Sequence, residues 1–186
     1  MRNKIIQYYV EGADDKKVVD TLKTKMGCIM PGKSYVLNVV MEEIKPMHLR
    51  TLAPKTTVVL VFDSDAGNVE ILQKNIQTLQ KCSSVSDIIT IPQVSRLESE
   101  LVRSCDISKI EELLNSKSEK DFKRDVIRVT NLDAKLKEHK FNIALFWSGK
   151  APAPYQHVVN QADKVKIRYI TLLFAAVLYI NFSPCT

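Results

Sequence analysis

The sequence predicts an α/β protein with an open, mostly parallel sheet and helices on both faces of that sheet. Two observations predict this fold. Over residues 1–105, segments rich in β-branched and aromatic residues alternate with segments whose apolar residues recur at helical spacing. One strand segment, residues 57–62 (TVVLVF), has no polar face, which is typical of a strand at the centre of a parallel sheet.

The elements of this first part alternate regularly between strand and helix. We place them at residues 4–10, 14–25, 34–40, 41–52, 57–62, 69–81 and 87–91. The first helix has acids in its first turn and carries Val18, Val19 and Leu22 on one face. The second helix is short and is expected to be interrupted at Pro46, and Pro92 is expected to close the last strand.

The second part of the chain is predicted to be more helical. Helices are expected at residues 97–103, at 109–114 and from 118 to about 137, followed by one further strand at 141–146 (FNIALF). We therefore divide the chain into an α/β core, a mostly helical extension packed on that core, and an apolar C-terminal segment, at residues 1–105, 106–166 and 167–186.

The apolar C-terminal segment allows three interpretations. Residues 167–182 hold a single charge, Arg168, but are fewer than the ~20 apolar residues that span a bilayer. They are a buried terminal helix or strand, a marginal tail anchor or partner-binding helix, or an artefact of the reading frame. We favour burial and do not expect membrane association.

Composition and charge restrict the class of protein. With 186 residues, 45% of them hydrophobic and 26% charged, the chain resembles an ordinary globular protein and not a fibrous or disordered one. A chain of this length buries about 70% of the surface that it exposes when unfolded, so it needs no disulfide or metal to fold. The net charge of +6 permits a polyanionic partner without requiring one.

The cysteines and the N-terminus bear on metal binding and location. Neither the three histidines nor the cysteines lie at the spacing of zinc ligands, the cysteines being Cys28, Cys82, Cys105 and Cys185. The N-terminal residues form only a short apolar run that acids soon follow, which is not a secretory signal. We therefore expect a cytoplasmic location and reduced thiols.

Acidic residues follow two of the predicted strands at the point where each strand ends. Glu11 follows the first strand, and Asp63 and Asp65 follow the central one. Carboxyl ends of parallel strands meet at one edge and neighbouring strands lie about 5 Å apart, so these carboxylates can converge if the two strands are neighbours. Three hard oxygen ligands suit Mg²⁺ or Mn²⁺. The alternative is that they are loop acids or helix caps, which is our interpretation of Asp14 and Asp15.

The two acidic motifs, in this order, resemble the signature of the TOPRIM domain. YYVEGADDKKVVDTL supplies a strand-terminal Glu-Gly, and VVLVFDSDAGNVEIL supplies an Asp-x-Asp after the central strand. The TOPRIM domain is a Mg²⁺-binding, Rossmann-like fold shared by topoisomerases, bacterial primases, ribosomal-RNA maturation nucleases and OLD-type nucleases. The resemblance covers residues 4–105. It implies that Glu11 is a metal ligand or general base and that Asp63 and Asp65 form the metal-binding pair.

Departures from the family pattern limit which TOPRIM proteins this sequence resembles. DSDAGNVE lacks the Asp-x-Asp-x-x-Gly-x-x-Ile pattern of topoisomerases, and the chain is too short for a topoisomerase or a primase. What remains is similar to the stand-alone TOPRIM nucleases. The resemblance therefore implies a metal-dependent nuclease, with DNA or RNA as its partner and an ATPase or another protein as a further possible partner.

Two later motifs extend the resemblance to the OLD-type members. Residues 97–101 (LESEL) are similar to an acidic stretch in which a glutamate can serve the metal site. Residues two apart on a helix point about 200° apart, so we expect one of Glu98 and Glu100 to enter the crevice and favour Glu98. Lys150 is similar in placement to a late lysine that stabilises charge on the phosphate. The alternatives are a solvated helix face and a surface lysine in a turn.

The predicted function is Mg²⁺- or Mn²⁺-dependent hydrolysis of phosphodiester bonds in nucleic acid. A non-catalytic TOPRIM-like module that binds nucleic acid or a partner protein is the alternative. Basic residues beyond the fourth strand are candidate contacts to phosphate groups, and solvated surface positions are the alternative for them. These candidates are Arg96, Arg103, Lys123, Arg124 and Arg128.

The sequence contains the residue pattern of a nucleotide-binding loop without the strand and helix that such a loop needs. Residues 27–34 (GCIMPGKS) satisfy the pattern G-x-x-x-x-G-K-[ST]. That motif works when a strand precedes the loop and a helix follows it, because the helix N-terminus then binds the phosphates. Here a predicted helix precedes the loop and a predicted strand follows it. We therefore interpret Pro31 and Gly32 as a turn.

Overall fold

A four-stranded, all-parallel sheet forms the centre of the molecule. The structure is a computed structural model and describes residues 5–65 and 67–167. The strands lie in the order β2–β1–β3–β4. Their bounds are β1 (Ile5–Val10), β2 (Lys33–Val36), β3 (Thr56–Asp63) and β4 (Val85–Gln93). The predicted α/β class with an open parallel sheet is confirmed.

Helices connect the strands and make up most of the second part of the chain. In the first part they are α1 (Ala13–Thr24), α2 (Pro46–Arg50) and α3 (Val69–Gln80). In the second part they are α4 (Leu97–Ser104), α5 (Glu111–Leu114), α6 (Glu119–Arg128) and α7 (Leu132–Glu138), followed by a 3₁₀ turn at Ala162–Lys164. The more helical character predicted for the second part is therefore observed.

The central strand β3 sends alternate side chains into two separate cores. Val59 and Val61 pack with α1 and α6, whereas Leu60 and Phe62 pack with α3. This alternation follows from the two-residue period of a strand. Both faces of the sheet are covered, so β3 is buried along its length except at Asp63, where it ends.

Several predicted elements have different bounds. β4 continues through Pro92 because it is an edge strand, where proline removes no sheet hydrogen bond. β2 ends at Val36 because Asn38 begins a turn, its carbonyl accepting from the amide of Glu42 at 2.8 Å. The second helix is not interrupted at Pro46; it begins there, since proline is well suited to the first helical position.

The predicted helix at 118–137 is two helices, and the predicted strand at 141–146 is wrong. Val129 leaves helical conformation, so α6 ends before it and α7 starts after Asn131. Residues 143–147 form turns instead of a strand, because the Asn142 side chain and carbonyl accept from the amides of Ala144 and Phe146. An asparagine that bonds to its own following backbone favours a turn.

Two further predictions concern the motif at 27–34 and the apolar C-terminal segment. The glycine-containing motif at 27–34 lies between the end of α1 and the start of β2, in helix-then-strand order. The predicted apolar segment at 167–186 lies outside the described residues from residue 168 onward. Among the helices at 5–65 and 67–167, none has the length and apolar character needed to cross a membrane.

The Asn75 side chain, on α3, forms hydrogen bonds with the backbone of the segment between β2 and α3. Its Oδ1 accepts from the Ile44 amide at 2.6 Å, and its Nδ2 donates to the carbonyls of Val39 and Glu42, both at 2.8 Å. The side chain is buried, so these three backbone groups depend on it for their hydrogen bonds.

We predict that Asn75→Ala lowers the free energy of unfolding by about 2 to 4 kcal/mol, because it leaves buried backbone groups without partners. Urea unfolding followed by circular dichroism measures the change. Gln77→Ala, at an exposed position of the same helix, is the matched control and should change stability little. Equal stability of the two variants would contradict the fastening role of Asn75.

Candidate functional site

The ends of β1 and β3 bring Glu11 and Asp63 together. The two strands are hydrogen-bonded neighbours, so their carboxyl ends lie side by side. The Glu11 carboxylate accepts from the Asp63 amide at 3.4 Å. Gly12 then caps α1, and a side chain at this position would collide with the Asp14 carboxylate. The predicted juxtaposition of these strand-end acids is therefore present.

Gln93, at the end of β4, joins Asp63 to a second buried acid. Its Nε2 donates to Asp63 Oδ1 at 3.0 Å and to Asp15 Oδ1 at 2.6 Å. Its Oε1 accepts from Trp147 Nε1 at 3.3 Å. An indole nitrogen can only donate, so this contact fixes which end of the amide faces the acids. The Gln93 side chain is 0% exposed, and its polar atoms all meet partners inside the protein.

The acids at this edge raise one another's pKa. Burial and the neighbouring charges of Asp15 and Glu11 raise the pKa of Asp63 to about 9. Burial and the Asp14 charge raise the pKa of Asp15 to about 7, although the Gln93 bond acts in the opposite direction. Burial also raises the pKa of Glu11, which the Lys123 charge lowers. Negative charge at this edge therefore exceeds the positive charge available to balance it.

Asp65 and Ser64 line a small cavity beside this cluster. The cavity has a volume of about 220 Å³, and residues 152–155 form its other wall. Asp65 is exposed and accepts from the Ser95 hydroxyl at 3.2 Å. The Ser64 hydroxyl is buried and has no hydrogen-bond partner among residues 5–65 and 67–167. A buried hydroxyl without a partner is costly, so Ser64 is a polar atom available to a ligand.

Glu98 lies at the edge of the cluster on α4. Its side chain is 5% exposed, and its charge contributes to raising the pKa of Asp63. Glu98 Oε1 lies 3.2 Å from Lys123 Nζ, within salt-bridge distance, but without the angles of a hydrogen bond. The other oxygen lies 3.8 Å from Arg96 Nε. The role of Glu98 as the acid that serves the metal site stays a prediction.

Glu100 is directed elsewhere and has a structural role. Its Oε1 accepts from the Val94 amide at 2.7 Å. Its Oε2 accepts from Arg103 Nη1 at 2.6 Å and from the Trp147 amide at 2.8 Å. Both oxygens of this fully buried carboxylate are thus occupied by protein donors, which leaves neither for a metal.

Lys150 and the predicted basic residues have different surroundings. Lys150 is exposed and lines a different cavity of about 230 Å³, next to Asn160. Arg96 pairs with Glu119 at 2.8 Å, and Arg103 is held by Glu100. On α6, Arg124 pairs with Asp121 at 2.8 Å, and Arg128 is exposed. Of these candidates, Lys123 and Arg96 lie within salt-bridge distance of Glu98, Lys123 at 3.2 Å and Arg96 at 3.8 Å.

Sequence reasoning missed two members of the site. The sequence predicts Asp15 as a loop acid or helix cap; it does accept from the Gly12 amide, but Gln93 also joins it to Asp63. Gln93 was not singled out. Its signal was its position, since a polar residue that ends the strand next to β3 reaches the same edge of the sheet.

The residues present suit a Mg²⁺ or Mn²⁺ ion that keeps several water ligands, and not an ion coordinated by protein ligands alone. Within residues 5–65 and 67–167, no three His, Cys, Asp or Glu side chains are arranged to hold a metal as they stand. Mg²⁺ is usually held by one or two carboxylates, with waters and substrate phosphates as the other ligands. Glu11 and Asp63 supply such carboxylates, and the hydroxyl oxygen of Ser64, next to Asp63 in sequence, is a further candidate ligand atom.

Comparison with known proteins adds no family or fold neighbour. No protein-family model, curated protein or solved structure matches the chain. The TOPRIM assignment therefore stays a prediction that depends on the Glu-Gly and Asp-x-Asp motifs. The interpretation of the site depends on its own geometry and charge.

We predict that, in the presence of EDTA, the protein becomes less stable as the pH rises from about 6 to about 8. The folded-state pKa of Asp63 is about 9 and lies above its unfolded value, so its contribution is complete at low pH and is lost as pH rises. Thermal unfolding across this range measures the effect. Asp63→Asn should reduce the slope, because asparagine does not titrate.

Asp106→Asn is the control for this pH dependence. Asp106 is exposed, and its pKa is lowered by the Lys140 ammonium, so it does not titrate in this range. This variant should keep the wild-type slope. An identical slope in Asp63→Asn and the wild type would contradict the electrostatic account of the acidic edge.

Proposed function

We propose that this chain binds Mg²⁺ or Mn²⁺ at the carboxyl edge of its sheet and hydrolyses phosphodiester bonds in nucleic acid. The observation that carries the proposal is the pair of acids, Glu11 and Asp63, at the ends of adjacent strands. A third acid, Asp15, is held against them through Gln93. Ligands of parallel α/β sheets bind at this edge, so the acids stand where a substrate would arrive.

The charge of the cluster supports a cation as its ligand. Ionised carboxylates that are partly buried repel one another, and either protons or a positive ion must relieve that repulsion. A divalent ion does so at neutral pH while leaving coordination positions for water and phosphate oxygens. Glu11 and Asp63 would hold it, and Asp65 and Glu98 lie close enough to the cluster to contribute through water.

The chain's own residues have distinct roles in the proposed hydrolysis. When bound, the divalent cation supplies Lewis-acid polarisation of the phosphate. Glu11 accepts a proton from the attacking water, whose oxygen forms the new bond to phosphorus. The bond from phosphorus to the leaving oxygen breaks, and that oxygen takes up a proton from solvent. Gln93 holds Asp63 and Asp15 in place throughout.

A binding module without catalysis is the second candidate. The described acids do not form a three-ligand metal group, which favours recognition of nucleic acid or a partner protein without cleavage. Lys150 lines a different cavity, next to Asn160, so the charge-stabilising role implied by the resemblance stays a prediction. An ATPase partner remains an expectation of the resemblance.

We predict that Mg²⁺ or Mn²⁺ changes the fluorescence of Trp147 and that Asp63→Asn abolishes the change. The chain has one tryptophan, and its indole contacts Gln93, which contacts Asp63. Metal binding at Asp63 should therefore alter the environment of the fluorophore. Isothermal titration calorimetry gives the affinity independently. A saturable signal of equal size in Asp63→Asn would place the metal elsewhere.

We predict metal-dependent cleavage of labelled DNA or RNA, measured on single- and double-stranded substrates with Mg²⁺, Mn²⁺ or EDTA. Glu11→Gln and Asp63→Asn should each lower the rate by at least about a hundredfold. Asp106 accepts from Lys140 and not from a residue of the cluster, so Asp106→Asn should keep wild-type activity. Metal binding without cleavage of any substrate would favour the binding module.

A further inference from the structure

Helix α6 is held firmly against the core. Phe122 and Val126, one turn apart, are fully buried in the core that also contains α1. The Ser118 hydroxyl caps the helix by accepting from the Asp121 amide at 3.1 Å. Lys123 follows Phe122, so its backbone position is fixed by that packing. A side chain on a rigid element is suited to precise contact with a ligand.

The Lys123 ammonium lies on the boundary between the acidic edge and solvent. Its Nζ is 3.2 Å from Glu98 Oε1, whose side chain is only 5% exposed. The Lys123 side chain itself is 50% exposed. An ammonium has three donors, and a single contact with Glu98 leaves the others available.

The charge of Lys123 acts on the proposed metal site. Helix α6, which carries Lys123, packs in one core with α1, which begins two residues after Glu11. Burial raises the pKa of Glu11, and the charge of Lys123 acts in the opposite direction. The Asp14 charge, at the start of α1, acts on Lys123 in turn. Lys123 therefore shares one electrostatic environment with the acids of two elements, although it lies about sixty residues beyond Asp63 in the sequence.

Two of the other candidate cations, Arg96 and Arg103, are already held by protein partners. Arg96 makes two contacts with Glu119, at 2.8 and 3.0 Å. Arg103 donates to Glu100 and also to the Val94 carbonyl at 3.0 Å. A guanidinium bound in this way must break existing bonds before it can bind phosphate.

We propose that Lys123 binds a non-bridging phosphate oxygen of the nucleic-acid substrate beside the acidic edge, an inference that rests on the function proposed above. A phosphodiester that approaches a cluster of carboxylates is repelled unless positive charge meets it. The divalent ion supplies part of that charge, and the ammonium at the rim supplies the rest. Contacts of this kind orient the backbone without reading its sequence.

The test compares Lys123→Ala, Lys123→Arg and Lys120→Ala. Lys120 is an exposed lysine of the same helix and is the matched control for a general loss of charge. The probes are fluorescein-labelled single-stranded DNA and RNA of about twelve nucleotides. Fluorescence anisotropy is measured with Ca²⁺ in place of Mg²⁺, at several salt concentrations. Calorimetry with Mg²⁺ alone measures the metal site separately.

We expect Lys123→Ala to weaken oligonucleotide binding about tenfold and to reduce the slope of log affinity against log salt by about 0.7 to 1. Lys123→Arg keeps the charge and should bind within about threefold of the wild type. Lys120→Ala should change affinity by less than about threefold. Because removing Lys123 takes away a positive charge, Mg²⁺ affinity should be unchanged or higher. Should Lys123→Ala fail to fold, a Glu98→Gln/Lys123→Ala double variant removes the unpaired buried charge.

Three outcomes would overturn this assignment. The first is wild-type oligonucleotide affinity in Lys123→Ala, and the second is an equal loss in Lys120→Ala. The third is a parallel loss of Mg²⁺ and oligonucleotide binding in Lys123→Ala, which would make the lysine a structural part of the acidic edge. Absence of Mg²⁺ binding in the wild type would instead refute the proposed metal-dependent function, and the salt dependence of oligonucleotide binding would still decide the role of Lys123.

Discussion

The arrangement of the acidic edge depends on one buried amide. Gln93 uses both hydrogens of its Nε2 on the carboxylates of Asp63 and Asp15, while Trp147 occupies its oxygen. The two carboxylates accept from one shared donor, which fixes their positions relative to each other. The geometry of the site is therefore set by a neutral residue at the end of an edge strand.

This amide also ties the second part of the chain to the sheet. Trp147 contacts Gln93 through its indole and Glu100 through its backbone amide. Asn160 then holds the Trp147 carbonyl at 2.9 Å. These contacts place residues of the extension directly behind the acids that end β1 and β3. The site consequently needs more than the α/β core of residues 1–105, even though that part carries both acidic motifs.

Positive charge is distributed unevenly around this edge, and that distribution bears on the proposed function. Arg96 pairs with Glu119 of the extension and Arg103 with Glu100 of α4, so these two arginines do not form a free basic surface at the site. Lys123 pairs with Glu98 at 3.2 Å, and half of its side chain still meets solvent. A metal and this ammonium would complement each other, the first balancing the acids and the second facing the substrate.

The strands, most helices and the nearness of Glu11 to Asp63 could be predicted from the sequence. β-Branched runs and helical spacing are local patterns, and they predict the strands and helices. Acids at the ends of parallel strands lie side by side when those strands, here β1 and β3, are paired. The turn at 141–146 could not be separated from a strand, because an apolar hexapeptide suits either and the Asn142 bonds decided it. Tertiary contacts alone determined that both oxygens of Glu100 accept from protein donors, that Gln93 joins two acids, and that Lys123 pairs with Glu98. Residues far apart in sequence meet only through the packing of helices on the sheet, and no local pattern encodes which of their side chains then find each other.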